Sequence, residues 1–399
     1  MSGILQWAGN EPSLFAVRGR LVLERDLVPG AVVVSEGRIA DVVRGPAPDL
    51  PTPVFEAGVV SPGFLDLQVN GGFGVEVGDG AEAIVHLAAR LPATGVTAFL
   101  PTLVSTTADA YARACPAFLA ARDAPGAIPL GLHLEGPFIS PRRAGAHRPA
   151  AIANAAPGLL DPFLEHDVLR LVTLAPEVDG GLDRIRRLRA RGVVVSLGHT
   201  DATYEQLLRG IDAGAAMVTH LFSAMSPFQH RAPGAVGAAL LDDRVVAGLI
   251  ADGVHSHRAA VRLAMRAKGT DRVALVTDAM AGAGMEPGVY RLEGRDVLVD
   301  ETAARLPDGT LAGSVLALDQ AVRNVVDWSG IGVAEACRMA SDVPARLLGL
   351  GAKGRLGVGL DADLVLLDDS LRVLATFVAG RCVHRRAPRP AGGTGRTAP

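Results

Sequence analysis

Short apolar runs recur along the middle of the chain, and each of them closes on a polar or charged residue. The stretch 193–225 shows the pattern most clearly: a β-branched run ends at His199, a helical span follows, and a second run ends at His220. Parallel strands have this continuous apolar character because helices cover both faces of their sheet. The pattern therefore predicts a βαβ unit with both histidines at the same edge of the sheet.

Strand and helix signals of this kind alternate eight times. The predicted strands cover 63–70, 96–103, 128–136, 169–177, 193–199, 217–222, 245–252 and 273–279. Helical stretches lie between most of them, for example at 82–91, 183–190 and 258–267. Eight such units over roughly 270 residues fit an α/β fold of the (β/α)8 TIM barrel type. A doubly wound open sheet is the alternative, but no GxGxxG motif follows the first strand.

The two ends of the chain have a different pattern, in which short strands are separated by turn residues without helical periodicity. These strands are predicted at 15–23, 30–34, 38–43, 54–60, 356–368 and 373–383. We therefore expect residues 1–60 and 356–384 to form a small β-sandwich domain and residues 61–355 to form the barrel. Residues 385–399 are rich in Pro, Gly and Arg, which predicts a disordered tail.

Composition narrows the classes of function. The chain has 399 residues, 49% of them hydrophobic and 20% charged, enough for one large core and a small accessory domain. A net charge of -3 and only two lysines argue against a nucleic-acid or membrane partner, which requires clustered positive charge. We find no targeting segment and expect a cytoplasmic protein. The three cysteines are widely spaced without a CxxC motif, so we expect neither disulfides nor a thiolate metal site.

The ends of the predicted barrel strands carry the candidate chemistry. Glu135, His199 and His220 close strands three, five and six, and in a barrel these ends meet at one mouth. Each histidine alone could be an ordinary core residue. One carboxylate and two imidazoles together are the ligand set of a catalytic zinc site, which keeps an open position for water. Such a metal lowers the pKa of its bound water to about 7 and makes hydroxide available as a nucleophile.

Other polar residues are expected at the same mouth. Asp278 closes strand eight, where a general base or acid would reach the reacting water, although a helix cap or a structural partner is the alternative interpretation. Gln68 and Asn70 close strand one and point to the same side, because alternate residues of a strand share a face. His133 shares the face of Glu135 one layer deeper, so we interpret it as a core residue.

Several motifs at these strand ends occur in the same order as in a known protein family. They are PGFLDLQVNGG, HLEGPF, SLGHTDAT, THLFSAM, HRAPG, ADGVH, LVTDAMAGAG and LAGS. With them the chain resembles the N-acetylglucosamine-6-phosphate deacetylase family of the amidohydrolase superfamily over nearly its whole length. The resemblance implies a TIM barrel with a small β-sandwich, a homodimer, and hydrolysis of an amino-sugar phosphate acetamide to acetate and the free amine.

The resemblance also implies roles for individual residues. Glu135, His199 and His220 would hold one divalent metal ion per subunit, zinc or alternatively iron, and Asp278 would act as the catalytic base and acid. Arg231, with His230 as a further candidate, would bind the phosphate in the neighbouring subunit. The remaining substrate contacts would be Ala146, His147, Ser223, Ala224, His255, Leu311, Ala312 and Gly313. Without the resemblance, His147 and Arg231 would also fit ordinary surface-loop residues.

Two departures from the pattern matter. Many amidohydrolases carry His-x-His at the end of strand one, where this chain has Gln68 and Asn70. Neutral amides are weak ligands for a transition metal, so we expect a single metal. Ser223 stands where the family usually has Asn, and it lacks the amide donor. This leaves the galactosamine epimer, or another N-acyl amino-sugar phosphate, open as the substrate. A catalytically silent scaffold is the alternative from another class, but the intact metal and acid set speaks against it.

Overall fold

The computed structural model of the chain describes residues 12–153, 155–156 and 158–387. Most of the tail expected over 385–399, and the first eleven residues, lie outside the described residues. The strands are, in chain order, β1 (Leu14–Leu23), β2 (Asp26–Ser35), β3 (Arg38–Arg44), β4 (Val54–Pro62), β5 (Phe64–Val69), β6 (Gly71–Gly72), β7 (Val75–Glu76), β8 (Val96–Val104), β9 (Ile128–Pro129), β10 (Leu132–Glu135), β11 (Leu169–Leu174), β12 (Val194–Leu197), β13 (Met217–Val218), β14 (Val246–Leu249), β15 (Val273–Leu275), β16 (Gly288–Leu292), β17 (Arg295–Val299), β18 (Ala304–Arg305), β19 (Leu364–Leu367), β20 (Val373–Val378) and β21 (Arg381–Arg385).

The helices pack mainly around the strands in the middle of the chain. They are α1 (Ala81–Arg90), α2 (Ala108–Ala121), α3 (Pro149–Ala153), α4 (Asp161–Glu165), α5 (Gly181–Ala190), α6 (Tyr204–Ala213), α7 (Gly234–Leu241), α8 (Arg258–Lys268), α9 (Leu318–Ser329), α10 (Val333–Met339) and α11 (Asp342–Leu347). Within the described ranges, none of these helices combines the length and the apolar character that crossing a membrane requires.

Eight parallel strands form the barrel, in the order β15-β14-β13-β12-β11-β10-β8-β5, with β9 added beside β8. The ring closes between its last and first strands through single contacts. Asp278 donates its backbone N–H to the carbonyl of Gln68 at 3.0 Å, and Asn70 donates to the carbonyl of Ala279 at 2.9 Å. This closure sets the ends of strands one and eight side by side, and it confirms the predicted (β/α)8 fold.

The strands from the two ends of the chain form one seven-stranded sheet, in the order β21-β20-β19-β4-β1-β2-β3. Its buried face has a core of its own, in which the rings of Phe15 and Phe377 stack at 5.4 Å and Phe55 packs on both. A β-sheet domain built from both ends of the chain is consistent with the expected small β-sandwich, and the expected domain bounds remain a prediction. Arg385, where the tail was expected to begin, is the last residue of β21.

A small three-stranded sheet, β16-β17-β18, lies between the last barrel strand and α9. We call it the mouth hairpin. Its inner face packs on Val104 and Met280, at the ends of barrel strands two and eight. Its outer face is open to solvent, with Val289 62% and Leu298 53% exposed. The sequence analysis did not predict this element, because its strands are short and their apolar residues are divided between a buried and an exposed face.

Candidate metal centre and active site

Glu135, His199 and His220 converge at the mouth of the barrel. The Nε2 atoms of the two imidazoles lie 3.1 Å apart. Oε1 of Glu135 lies 3.3 Å from Nε2 of His199 and 3.0 Å from Nε2 of His220. Bonds of about 2.0 Å at tetrahedral angles place ligand atoms about 3.3 Å apart. The spacing and the donor types therefore fit one divalent cation held by these three side chains.

The backbone around the cluster is shaped to present these side chains. His199, His220 and Asp278 all have positive φ angles, of 47°, 29° and 52°. This left-handed conformation costs a non-glycine residue on the order of 1–3 kcal/mol and is concentrated at functional sites. Gly136 follows Glu135 with a φ of 81°, and a Cβ there would lie 2.3 Å from Oγ of Ser105. Glycine is therefore required directly after the carboxylate.

The orientation of His199 follows from its other ring nitrogen. Nδ1 lies 2.8 Å from the backbone carbonyl of Arg143, and a carbonyl can only accept a hydrogen bond. Nδ1 therefore carries the hydrogen, and Nε2 offers its lone pair to the cluster. The loop that supplies this carbonyl is tied down, because the Arg143 side chain donates to Asp201 at 2.8 Å.

The charges in the cluster favour a cation. Burial raises the pKa of Glu135, but the three neighbouring imidazoles of His147, His199 and His220 together outweigh burial and hold that pKa well below its usual range. Burial lowers the pKa of His220, whereas its hydrogen bond to Glu135 raises it, and the net direction is upward. An ionised carboxylate at the centre of three imidazoles draws positive charge to this point, and a metal ion supplies that charge compactly.

Asp278 stands beside the cluster and is held by two amides. Oδ1 accepts hydrogen bonds from Nε2 of Gln68 at 2.9 Å and from Nδ2 of Asn70 at 2.6 Å. Gln68 also donates to Oε1 of Glu135 at 2.8 Å, so its amide bridges the two carboxylates. Among the described residues, the amide oxygens of Gln68 and Asn70 are buried without a partner. These neutral amides therefore act as donors that fix the carboxylates.

The environment of Asp278 makes it suitable for proton transfer. Burial, and next the charge of Glu135, raise the pKa of Asp278 to about 6. Beneath it, Asp66 accepts a hydrogen bond from Oγ1 of Thr277 at 2.6 Å and others from the backbone of Gln68 and Thr277 at 3.2 Å. Asp66 thus joins the strand that carries Gln68 to the segment that carries Asp278, and burial raises its own pKa to about 7.

His147 reaches the cluster from the loop after β10. Its Nδ1 accepts the backbone N–H of Ser105 at 3.1 Å, so the hydrogen of the neutral ring is on Nε2. Nε2 lies 3.6 Å from Oε2 of Glu135. Burial, and next the charge of His199, lower the pKa of His147 to about 4, which keeps the ring neutral. The side chain therefore presents an N–H donor to the cavity.

These groups line a cavity of about 460 Å³. This volume suits a small-molecule ligand. The wall includes most residues implicated by the resemblance, namely Asn70, Glu135, Ala146, His147, His199, His220, Ser223, Ala224, His255, Asp278, Leu311 and Gly313. Leu292 from the mouth hairpin closes one side.

Four other implicated residues lie outside this wall. Gln68 is buried beneath it and Ala312 packs inside the mouth hairpin. His230 and Arg231 are exposed on a loop after strand six.

Several supporting residues were not predicted from the sequence. Ser105 follows the apolar end of β8, the same signal that identified the other strand ends, but no role was inferred for it. Arg295 belongs to the mouth hairpin and donates to the carbonyl of Ala146, next to His147. The sequence carries no signal for this contact, because the arginine and the carbonyl lie far apart in the chain. His133 lies in the core, where Nε2 and Oγ1 of Thr173 are 2.8 Å apart.

Residues 59–383 match the model of the amidohydrolase family, and the chain belongs to that family. The human N-acetylglucosamine-6-phosphate deacetylase is 41% identical over 386 residues, which are 92% of this chain and 90% of the relative. An N-acetylgalactosamine-6-phosphate deacetylase of Escherichia coli O157:H7 is 40% identical over 352 residues, 86% of this chain and 93% of the relative. The resemblance inferred from the motifs is thereby confirmed.

A solved structure gives the same picture. The D267A mutant of N-acetyl-D-glucosamine-6-phosphate deacetylase from Mycobacterium smegmatis, in complex with N-acetyl-D-glucosamine-6-phosphate, superimposes with a TM-score of 0.89 at 36% identity. The alignment covers 93% of this chain and all of that chain. Both the barrel and the β domain thus have counterparts in an enzyme that binds an amino-sugar phosphate.

Proposed function

We propose that this protein hydrolyses the acetamide of N-acetyl-D-glucosamine 6-phosphate to D-glucosamine 6-phosphate and acetate. The observation that carries the proposal is the convergence of Glu135, His199 and His220 beside Asp278 in one cavity. Relatives of 36–41% identity with this activity support the choice of substrate.

The metal would be one divalent ion per subunit, held by Glu135, His199 and His220. Zinc is proposed and iron is the alternative, since carboxylate and imidazole suit both. When bound, the ion would polarise the amide carbonyl and lower the pKa of a water molecule, which makes that water nucleophilic. A second cation would require ligands where Gln68 and Asn70 instead turn their amide nitrogens toward carboxylates.

Asp278 would move the proton. The attacking water forms the new C–O bond and gives its proton to the carboxylate. The carboxylic acid then returns the proton to the sugar nitrogen as the C–N bond breaks, which releases acetate and the amine. The side-chain amides of Gln68 and Asn70 both donate their hydrogen bonds to Oδ1 of Asp278. Oδ2 is therefore the oxygen left to accept and return the proton. Holding Oδ1 fixes the carboxylate without occupying its reactive atom.

His147 would assist at the carbonyl. The backbone N–H of Ser105 donates a hydrogen bond to Nδ1 of His147, and this directs the Nε2–H of the ring to the cavity. A neutral donor at this position can stabilise negative charge that develops on the amide oxygen, or it can bind a sugar hydroxyl. Because burial lowers its pKa to about 4, the ring remains a donor of constant charge throughout the neutral range.

The phosphate would lie toward His255, which lines the cavity. Arg231, and with it His230, is proposed to complete the phosphate site from the neighbouring subunit of a homodimer. Their loop is exposed in the single chain, and Phe228 on the same loop is 57% exposed, as expected for a surface that a second copy covers. A guanidinium suits a phosphate because its donors form a planar fork.

The galactosamine epimer is the second candidate substrate. Ser223 lines the cavity and is shorter than the Asn that the family usually carries there. A relative that acts on N-acetylgalactosamine 6-phosphate is 40% identical to this chain. The two substrates require the same reaction and differ in one hydroxyl configuration.

The proposal is tested by acetate release from four sugars with metal-replete protein. These are the glucosamine and galactosamine N-acetyl 6-phosphates and the two unphosphorylated sugars. Preference for the glucosamine phosphate supports the proposal, and preference for its epimer would assign that choice to Ser223. Absence of acetate from all four, with metal present, would contradict deacetylation and favour a catalytically silent scaffold.

A further inference from the structure

A carboxylate behind the cavity wall fixes His255. Asp252, in the loop after β14, accepts the backbone N–H groups of Val254 and His255 with Oδ1, both at 2.8 Å. Its Oδ2 lies 2.7 Å from Nδ1 of His255. The side chains of His255 and Asp252 are only 8% and 7% exposed. One buried carboxylate therefore sets both the turn and the direction of the ring.

The geometry also sets the hydrogen on the ring. An ionised carboxylate only accepts hydrogen bonds, so Nδ1 of His255 carries the hydrogen and Nε2 is the free nitrogen. Burial raises the pKa of Asp252, but the hydrogen bond and charge of His255, together with the two backbone N–H groups, lower that pKa overall. The carboxylate thus stays charged and lies directly behind the ring. A ring held between this carboxylate and a phosphate would carry a hydrogen on each nitrogen and donate one to each anion.

The other basic side chains of the cavity already have partners. His147, His199 and His220 all face Glu135, at 3.6, 3.3 and 3.0 Å. Arg142 and Arg143 on the wall bind Asp201, at 3.3 and 2.8 Å. Since Glu135 and Asp278 repel an anion, a phosphate in this chain requires a positive group turned away from them. His255 is the cavity imidazole whose carboxylate lies behind it, with one nitrogen left for a ligand.

We propose that Asp252 is a positioning residue through which His255 distinguishes phosphorylated from unphosphorylated sugars. Asp252 supplies the charge that lets His255 donate Nε2–H to a phosphate oxygen, and the turn at Val254 and His255 holds the ring in place. This inference rests on the proposed function, because it assigns the phosphate of that substrate to His255. Discrimination then depends on a residue that touches no substrate atom.

Asp252→Asn isolates the charge. The amide oxygen of Asn can still accept the two backbone N–H groups, so the turn survives while the negative charge is lost. We expect KM for N-acetylglucosamine 6-phosphate to rise on the order of 10- to 100-fold, the range for a lost charge-assisted hydrogen bond. KM for unphosphorylated N-acetylglucosamine is expected to stay near its original value, and the bound metal is expected to remain.

The control is Asp300→Asn in the mouth hairpin. Asp300 makes the same kind of turn, accepting N–H groups of Thr302 and Ala303 at 2.7 and 2.9 Å, and it lies outside the cavity wall. It should leave both KM values unchanged. His255→Gln is the second variant and should show the same selective loss as Asp252→Asn. The double variant should be no worse than His255→Gln alone, because Asp252 acts through that ring.

The experiment combines steady-state kinetics with calorimetric binding of glucosamine 6-phosphate and glucosamine. Loss of the phosphate preference in Asp252→Asn, by either readout, supports the inference. Equal losses for both sugars, or additive effects in the double variant, would overturn it and leave Asp252 a purely structural turn residue. If the wild-type protein binds the phosphorylated product with preference but releases no acetate, the proposed function fails while the phosphate assignment stands.

Discussion

The two ends of the barrel use their charged groups differently. At the amino ends of strands β14 and β15, where the barrel meets the terminal sheet, a groove of about 1090 Å³ is crowded with arginines and aspartates. Its charges satisfy one another: Arg338 and Arg346 both bind Asp342, at 2.8 and 3.2 Å, and Arg25 pairs with Asp271. Many of these side chains remain in contact with solvent.

The cavity at the barrel mouth is smaller, and some of its buried polar atoms lack hydrogen-bond partners. This cavity of about 460 Å³ holds buried carboxylates and imidazoles on backbone of positive φ, and amide oxygens without partners. Such groups lower the stability of the fold, and they are concentrated at sites where a ligand binds or a reaction takes place. Cavity size and charge density therefore do not mark the candidate site. It is marked by a buried carboxylate and two imidazoles that converge on one point, beside amide oxygens without hydrogen-bond partners.

The largest effect should come from Asp278→Asn. The amide cannot accept the proton from water, so we expect turnover to fall on the order of 10²- to 10⁴-fold. Metal content, measured by mass spectrometry, should stay near that of the wild-type protein, because Asp278 is outside the ligand set. Wild-type turnover in this variant would show that Asp278 takes no part in the chemical step. The functional difference between the two barrel ends would then lose its main support.

Arg231→Ala should have the next largest effect. If the guanidinium reaches the phosphate in a neighbouring subunit, KM for the phosphorylated sugar should rise on the order of 10- to 100-fold. KM for the unphosphorylated sugar should change little, and the two values are compared by steady-state kinetics. Equal changes for both sugars would refute a phosphate role and would return Arg231 to the class of exposed, solvated arginines.

Acidification should have the next largest effect, a fall in kcat/KM that originates at the barrel mouth. Because Asp278 must be ionised to accept a proton, kcat/KM should fall about tenfold per pH unit below the pKa of this carboxyl. Burial and the charge of Glu135 raise that pKa to about 6, and a bound cation displaces it downward. The midpoint of the pH–rate profile should therefore lie at or below pH 6. A midpoint above pH 7 that is lost in Asp278→Asn would contradict this electrostatic account.

The smallest effect should come from Arg346→Ala in the groove at the opposite end. The Arg346 side chain is 51% exposed and pairs with Asp342, so its loss should cost less than about 1 kcal/mol of unfolding free energy. Urea denaturation measures this change, and kcat should not move. A large fall in kcat with unchanged stability would mean that the groove takes part in catalysis.

The sequence could predict the features that follow from hydrophobic periodicity. Each barrel strand is an apolar run that ends on a polar residue, so the fold and the convergence of Glu135, His199 and His220 were both predictable. The predicted strand at 217–222 is observed only over Met217–Val218, because His220 takes a left-handed φ that ends regular pairing. The left-handed backbone at His220 therefore shortens this strand.

The rest depends on contacts between residues far apart in the chain. No local pattern shows that Gln68 donates to both Glu135 and Asp278, or that Ser105 fixes the tautomer of His147. The sequence analysis treated the amides of Gln68 and Asn70 as weak ligands, whereas the structure uses their nitrogens to hold Asp278. Residue type alone could not distinguish these uses, because a side-chain amide has both a donor and an acceptor.

A metal titration distinguishes a single-metal site at the barrel mouth from the alternatives. Metal-free protein is supplied with increasing zinc while acetate release from N-acetylglucosamine 6-phosphate is measured, and Asp278→Asn is titrated in parallel. The account predicts that activity rises from near zero and levels at about one equivalent per chain, and that the variant binds the same zinc but releases little acetate. Full turnover without metal, or a plateau at two equivalents, would contradict a single-metal site at the mouth of the barrel.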